Sequence, residues 1–141
     1  LELRNGFPYL RINNGSGETQ LTLDGRGGQG RVQLDRLNDG HWHRIDIFRE
    51  GNVVRLVVDQ CRVASLTETS GNLADRRACE AQSTTPAENK YLNVHVPLEL
   101  GGRSHPDAPY PERVMKEGFN GCIKNLIHNG EVGVWFVLTM S

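Results

Sequence analysis

The chain has few aromatic residues, almost no net charge and no long apolar run. Aromatic residues make up 6% of its 141 residues, and the formal net charge is −1 with acidic and basic residues interspersed. This balance gives no electrostatic basis for binding nucleic acid or a membrane surface. No segment reaches the roughly 18 to 20 apolar residues that cross a bilayer. The apolar segment 132–140 is too short, so we expect no membrane insertion by this chain.

Motifs for catalysis are also lacking. The sequence contains no G-x-S-x-G motif, and its Asp and Glu residues show no paired-carboxylate pattern of the glycosidase kind. No Cys-x-x-Cys or Cys/His spacing indicates zinc. His41 and His43 share one face of a strand without a third ligand at a diagnostic spacing, so we interpret them as turn-capping and hydrogen-bonded or core residues. We therefore predict that the chain has no catalytic residues and is not an enzyme.

The residues that are present favour an all-β domain. Sixteen glycines indicate many turns. Residues 37–48 read LNDGHWHRIDIF, in which Asn, Asp and Gly tolerate the positive φ of a tight turn. The alternation that follows, with His43, Ile45 and Ile47 on one face, predicts a half-buried strand. A second strand over residues 53–59 follows a short Gly-containing link, which predicts a β-hairpin.

Three motifs, in order along the chain, resemble the laminin G-like family. The hairpin matches the family pattern L-x-D-G-x-W-H followed by L-x-V-D, the latter at residues 56–59. Residues 91–102, YLNVHVPLELGG, end in its L-x-(apolar)-G-G pattern, and residues 118–130, GFNGCIKNLIHNG, match its G-F-x-G-C segment. The resemblance implies a two-sheet antiparallel jelly-roll sandwich of the laminin G-like, or concanavalin-like, type over residues 1–130.

The resemblance also sets expectations for the two ends and the core. The family usually has several strands before this point, so we expect the amino-terminal strands to be absent. Residues 131–141 form a divergent apolar tail outside the family pattern. Trp42 should pack near the base of the hairpin. The predicted core residues are Leu10, Ile12, Leu21, Leu23, Val32, Leu34, Ile45, Ile47, Val54, Leu56, Val58, Leu92, Leu100, Phe119 and Ile123.

Cys61, Cys79 and Cys122 are an odd number, which leaves one cysteine unpaired in a secreted protein. A disulfide between Cys61 and Cys79 would close a loop of about eighteen residues, worth roughly 3 kcal/mol in chain entropy. Cys122 would then lack the downstream partner that the family normally supplies. The alternative is a cytosolic protein with three reduced cysteines, two of them buried.

A calcium site is implied by the family as well. Its calcium-binding members hold the ion with one acidic side chain, one Asn and two backbone carbonyls, which are oxygen ligands suited to a hard cation. Laid onto this sequence, that set predicts Ca²⁺ at Glu18, Asn93 and the carbonyl oxygens of Arg44 and Tyr91. Glu18 stands where the family usually has Asp. The alternative is that Glu18 is an exposed loop charge and Asn93 a polar residue of an edge strand.

Asn14 begins an Asn-Gly-Ser sequon in a turn, which predicts an attached oligosaccharide if the chain is secreted. Short sequons also occur by chance, so an unmodified Asn14 is the alternative.

The V-D-x-C end of the hairpin, the polar cysteine-bearing segment 62–90 and the strand after it are similar to one subgroup. This subgroup is the membrane-proximal laminin G-like domains of insect-type neural cadherins. The similarity implies a cell-adhesion module on the extracellular side of the plasma membrane, in a single-pass receptor that mediates calcium-dependent cell–cell adhesion. Because no signal peptide opens the chain, this expectation requires a longer parent protein.

The partners implied are other cell-surface or matrix proteins and glycans, with EGF-like and cadherin domains in the same parent chain. The alternative is a calcium-dependent glycan- or protein-binding domain of a neurexin, agrin or laminin-type protein.

Overall fold

The computed structural model describes residues 1–23, 34–62, 79–86, 101–102, 113–128 and 131–132. Its elements are β-strands and one short 3-10 segment, Asp59–Cys61, which confirms the predicted all-β class. Within those residues, no helix is long and apolar enough to cross a membrane. The strands are β1 (Glu2–Arg4), β2 (Phe7–Asn13), β3 (Glu18–Thr22), β4 (Ile45–Glu50), β5 (Val53–Val58), β6 (Glu80–Thr84), β7 (Ile127–His128) and β8 (Glu131–Val132).

The chain divides into two compact units. The first comprises Leu1–Leu37 with His41–Val94, and the second comprises Asn38–Gly40 with His95–Ser141. In the described part of the first unit, β1, β2 and β3 form one antiparallel sheet in that order, and β4, β5 and β6 form another. In the second unit, β7 pairs with β8. The predicted domain boundary at residue 130 stays a prediction.

Two tight turns build the first unit's sheets. Asn5 and Gly6 connect β1 to β2 with φ values of 53° and 82°, and Asn and Gly are the residues that accept this left-handed backbone. Gly51 and Asn52 connect β4 to β5, with Gly51 at φ 59°. The hairpin predicted from residues 37–59 is therefore confirmed.

Both three-stranded sheets contribute to one core. Alternate residues of β2, β3 and β5 point into it, so the two sheets pack face to face as the predicted sandwich requires. Leu37, which we did not predict to be buried, joins this core where its N–H donates to the Gly6 carbonyl at 2.8 Å. The buried members are Leu10, Leu21, Leu23, Leu34, Leu37, Val54, Leu56 and Val58, with Ile12 and Ile45 partly buried against them.

The prediction that Ile47 belongs to the core is wrong. Other predicted core residues are half-buried or lie outside the described residues. Ile47 is 46% exposed although it pairs with the fully buried Leu56, because β4 is the edge strand of its sheet in the described part of the chain. Trp42, expected near the hairpin base, is 55% exposed. Phe119 and Ile123 are half-buried. Val32, Leu92 and Leu100 lie outside the described residues.

The turn between β4 and β5 is fastened to the end of β6. Thr85, which is almost fully buried, donates from its N–H and its Oγ1 to the Asn52 carbonyl, at 2.8 and 3.2 Å. A Cβ built on Gly17 would lie 3.3 Å from Cγ of Pro86, the residue after Thr85. The β2–β3 turn and the β4–β5 turn therefore lie at the same end of the first unit.

We expect Leu56→Ala to lower the free energy of unfolding by about 3 kcal/mol, because it leaves a cavity in the shared core. Ile47→Ala, the matched control on the paired position, should cost less than about 1 kcal/mol because much of that side chain is already in water. Urea denaturation of dilute protein measures both values. Equal losses would contradict the placement of Ile47 outside the core.

Candidate functional site

Charged and polar groups gather at the end of the β4–β5 hairpin that lies opposite its turn. Asp59 follows β5 and faces Arg44, which precedes β4. The Asp59 N–H donates to the Arg44 carbonyl at 2.8 Å, and the Arg44 N–H donates to Asp59 Oδ1 at 2.8 Å. Asp59 Oδ2 lies 2.8 Å from Nδ1 of His43. We call Asp59, His43 and Arg44 the Asp59 cluster.

The Asp59 cluster holds an unusual backbone. Asp59, Gln60 and Cys61 have φ values of 51°, 56° and 54°. The left-handed region costs roughly 1–2 kcal/mol for a residue other than glycine, and Asp tolerates it better than most. Such a turn persists only where surrounding contacts determine it. The hydrogen bonds of Asp59 supply these contacts on one side.

A disulfide holds the left-handed turn on the side away from the hydrogen bonds of Asp59. Cys61 and Cys79 are joined, with their Cα atoms 5.2 Å apart, which confirms the predicted pair. The Val58 N–H donates to the Cys79 carbonyl at 2.9 Å, so the disulfide lies directly beside the first residues of β6. Val57 is buried against the two cysteines on the face of the sheet away from the main core.

Arg44 also carries a charge pair on the surface. Its Nε donates to both carboxylate oxygens of Asp46, at 2.9 and 2.8 Å. The hydrogen bond from Asp46, and then its negative charge, raise the pKa of Arg44 above its ordinary value. The Arg44 side chain is mostly exposed, so this pair contributes little to stability.

The predicted calcium ligands are only partly described. Glu18 is an exposed residue at the start of β3, where its Oε1 accepts a hydrogen bond from Nε2 of Gln20 at 2.5 Å. The Arg44 carbonyl is directed at the Asp59 N–H. Tyr91 and Asn93 lie outside the described residues. Where the structure describes the chain, no cluster of three His, Cys, Asp or Glu residues could hold a metal ion.

The strand register does not bring Glu18 and Arg44 together. Glu18 follows the β2–β3 turn, at the end of the unit that carries Gly51 and Asn52. Arg44 precedes β4, whose six residues extend about 20 Å away from that end. An ion coordinated at about 2.4 Å by the Arg44 carbonyl is out of reach of Glu18. The structure therefore separates Glu18 from the Arg44 carbonyl. A site formed by the other predicted ligands, Arg44, Tyr91 and Asn93, stays a prediction.

Asn14 is 9% exposed, and its Oδ1 accepts a hydrogen bond from the N–H of Ser16 at 3.4 Å. Asn13 makes the same kind of turn bond to the N–H of Gly15 at 2.9 Å. Glycosylation of Asn14 stays a prediction. Cys122 is the free cysteine and is half-buried.

In the second unit, two of the sequence motifs meet at their glycines. The N–H of Phe119 donates to the Gly101 carbonyl at 2.6 Å. A Cβ built on Gly118 would lie 3.2 Å from that same oxygen, so a larger residue would push the two segments apart. Gly102 has φ 154°. The paired glycines therefore allow two backbones to approach closely.

The contact between His43 and Asp59 was missed by reasoning from the sequence. Both residues stand in the motif patterns, and the hairpin register contains the signal. If Ile45 pairs with Val58, the next positions outward, Arg44 and Asp59, must face each other. That register brings Asp59 close to the start of β4, where His43 can reach its carboxylate.

We expect Asp59→Ala to lower the free energy of unfolding by about 2 kcal/mol, because it removes hydrogen bonds to a charged group. It also leaves a left-handed alanine. Asp46→Ala is the matched control, and its loss should be much smaller because its partner Arg44 is in water. Denaturant unfolding of the oxidised protein measures both. Similar losses would show that the Asp59 cluster does not hold the turn.

The comparisons with known proteins agree with this architecture. A family profile described as Laminin G domain matches residues 1–131. Neural-cadherin of Drosophila melanogaster is 38% identical over 94% of this chain, and Putative neural-cadherin 2 of the same species is 40% identical over 93%. Neurexin 1 of Drosophila melanogaster is 25% identical over 93% of the chain.

The chain spans 4%, 7% and 6% of the lengths of these relatives. No solved structure gives a significant match. The profile covers nearly the whole chain, and two relatives at 38% and 40% identity share most of it. The chain therefore belongs to the laminin G domain family.

Proposed function

We propose that the chain is a non-catalytic adhesion module on the extracellular side of a larger cell-surface receptor of the cadherin type. The observation that carries the proposal is the 38–40% identity to two neural-cadherins over more than nine-tenths of the chain. Because the chain spans 7% or less of either relative, its work is one part of a longer protein. That work is recognition of cell-surface or matrix proteins beside EGF-like and cadherin domains.

The disulfide supports an extracellular location. Disulfides form and persist in oxidising compartments and are rare in the cytosol. Here Cys61 and Cys79 cover Val57 and fix the turn after β5, so oxidation is part of how the first unit is built.

The contacts of the Asp59 cluster support a structural and not a catalytic role. An imidazole beside a carboxylate is a pairing that enzymes use for proton transfer. In this chain the second carboxylate oxygen and the N–H of Asp59 bind the backbone of Arg44. The pair between His43 and Asp59 therefore contributes to the turn that closes the hairpin.

The second candidate is calcium-dependent recognition of a glycan or protein, as in a domain of the neurexin, agrin or laminin type. The similarity to Neurexin 1 favours it. For this function we propose a calcium ion at the end of the hairpin that carries the Arg44 carbonyl, with Tyr91 and Asn93 as further ligands. Oxygen ligands of this kind suit calcium.

Binding of the oxidised chain to intact cells tests the adhesion role. We expect that the chain, presented as a fluorescently labelled tetramer, binds the cells saturably. Protease removal of the cells' surface proteins should abolish this binding. The matched control is Cys61→Ser combined with Cys79→Ser, which opens the disulfide and should weaken binding. Loss of binding after glycosidase treatment, with surface proteins intact, would favour the second candidate. No binding by protein shown to be folded would contradict both.

Titration calorimetry tests the ion. We expect saturable calcium binding that Asn93→Ala removes and Glu18→Ala leaves unchanged, because Glu18 lies at the other end of the first unit. Loss of binding in the Glu18 variant would contradict this separation. No binding heat from folded protein would remove calcium from the proposal and leave an ion-independent module.

A further inference from the structure

The turn between β2 and β3 contains a glycosylation sequon whose asparagine is buried. Asn14 begins the only Asn-x-Ser/Thr sequence among the 141 residues. Its neighbours Asn13, Gly15 and Ser16 are exposed, whereas Asn14 itself is only 9% exposed. The Asn14 side chain is therefore covered by protein although the backbone on both sides of it lies at the surface.

Local hydrogen bonds hold Asn14 in this position. Its Oδ1 accepts a hydrogen bond from the Ser16 N–H at 3.4 Å. Oδ1 of Asn13 accepts a hydrogen bond from the Gly15 N–H at 2.9 Å. Asparagine side chains that bind the backbone two residues further on form Asx turns. Gly15 has φ 93°, a left-handed backbone that glycine adopts without steric cost. The amide of Asn14 is thus part of the turn that contains it.

The same turn lies against the end of β6. A Cβ built on Gly17 would lie 3.3 Å from Cγ of Pro86, so these two segments are in close contact. Thr19 is 6% exposed and Thr85 is 1% exposed. Among the described residues, the buried polar side chains of Asn14, Thr19 and Thr85 all lie at this end of the first unit. A large group on the Asn14 amide therefore requires the turn to move.

N-linked glycosylation would add such a group. In this transfer, Nδ2 of the asparagine attacks C1 of an oligosaccharide that is carried on a lipid pyrophosphate. The bond from Nδ2 to C1 forms, the bond from C1 to the pyrophosphate oxygen breaks, and Nδ2 loses a proton as the lipid pyrophosphate leaves. The attached sugar is bulky and hydrophilic, and in folded proteins it lies at the surface.

We propose that Asn14 accepts an oligosaccharide only while the β2–β3 turn is unfolded, so that the sugar and the native turn exclude each other. A chain that folds first buries Asn14 and stays unmodified. A chain that is modified first cannot bury the amide and cannot complete the turn that contacts Pro86. The inference depends on the proposed extracellular location, because only a chain that enters the secretory pathway meets the transferring enzyme.

Expression with an added secretion signal, in cells that glycosylate, tests the proposal. Ser16→Ala, the parent and Ser16→Thr form a matched series at one exposed position, with no sequon, a serine sequon and the more efficient threonine sequon. Peptide mapping after deglycosylation in heavy-oxygen water measures the share of Asn14 that carried sugar. We expect sugar on Asn14 in protein retained by the cells and almost none in secreted protein. The secreted yield of Ser16→Thr should be several-fold below that of Ser16→Ala, because chains that cannot fold are retained and degraded.

Gln20→Asn is the positive control, because it creates an Asn-Leu-Thr sequon at an exposed position of β3. Its secreted form should carry sugar at position 20 and none on Asn14. Secreted protein with sugar on Asn14 and native near-ultraviolet circular dichroism would overturn the proposal. Ser16→Thr protein without sugar on Asn14 in either fraction would overturn it too, since a conditional site must be used while the chain is unfolded. The secretion signal is supplied, so neither result bears on the adhesion role.

Discussion

The left-handed turn after β5 is the constraint on which the first unit depends. Three successive residues from Asp59 to Cys61 adopt a backbone that is unfavourable for side chains other than glycine. The turn directs the chain so that Cys61 reaches Cys79, and it sets Asp59 against the start of β4. Hydrogen bonds on one side and a covalent bond on the other offset its conformational cost.

The position of β6 follows from this turn. At one end of β6, Cys79 is bonded to Cys61 and its carbonyl accepts from Val58. At the other end, Thr85 donates twice to the Asn52 carbonyl. A five-residue strand is thus attached at both ends to the hairpin beside it. The attachment explains how a polar strand, EAQST, remains paired when its own residues bury little apolar surface.

Much of this unit was accessible from the sequence, because the determining signals are local. The Gly51-Asn52 link and the alternation through Leu56 and Val58 predicted the hairpin and its buried face, and the Asn5-Gly6 pair is an equally clear turn signal that we overlooked. Periodicity fails where burial is set by distant contacts. The alternation assigns Ile47 to the core-facing side of β4. It does not show that this side chain, on an edge strand in the described part of the chain, is 46% exposed.

Val57 is a residue for which periodicity predicts exposure but the structure shows burial. Alternation places it on the outer face of β5, yet it is buried because the disulfide covers it there. The prediction of the ion site from the sequence fails for a different reason. Motif matching selects residue types, but whether Glu18 and Arg44 lie together depends on which strand ends meet, and that information resides in the contacts of Gly17, Pro86 and Asn52.

The residues that identify the family build its fold and carry little information about a partner. His43 and Asp59 close the hairpin, while Gly101 and Gly118 let two backbones approach. Exposed residues between these positions, such as Phe48 and Glu50 of β4, are not part of the core. Two domains with the same signature can therefore recognise different surfaces, since stability and specificity depend on separate sets of residues.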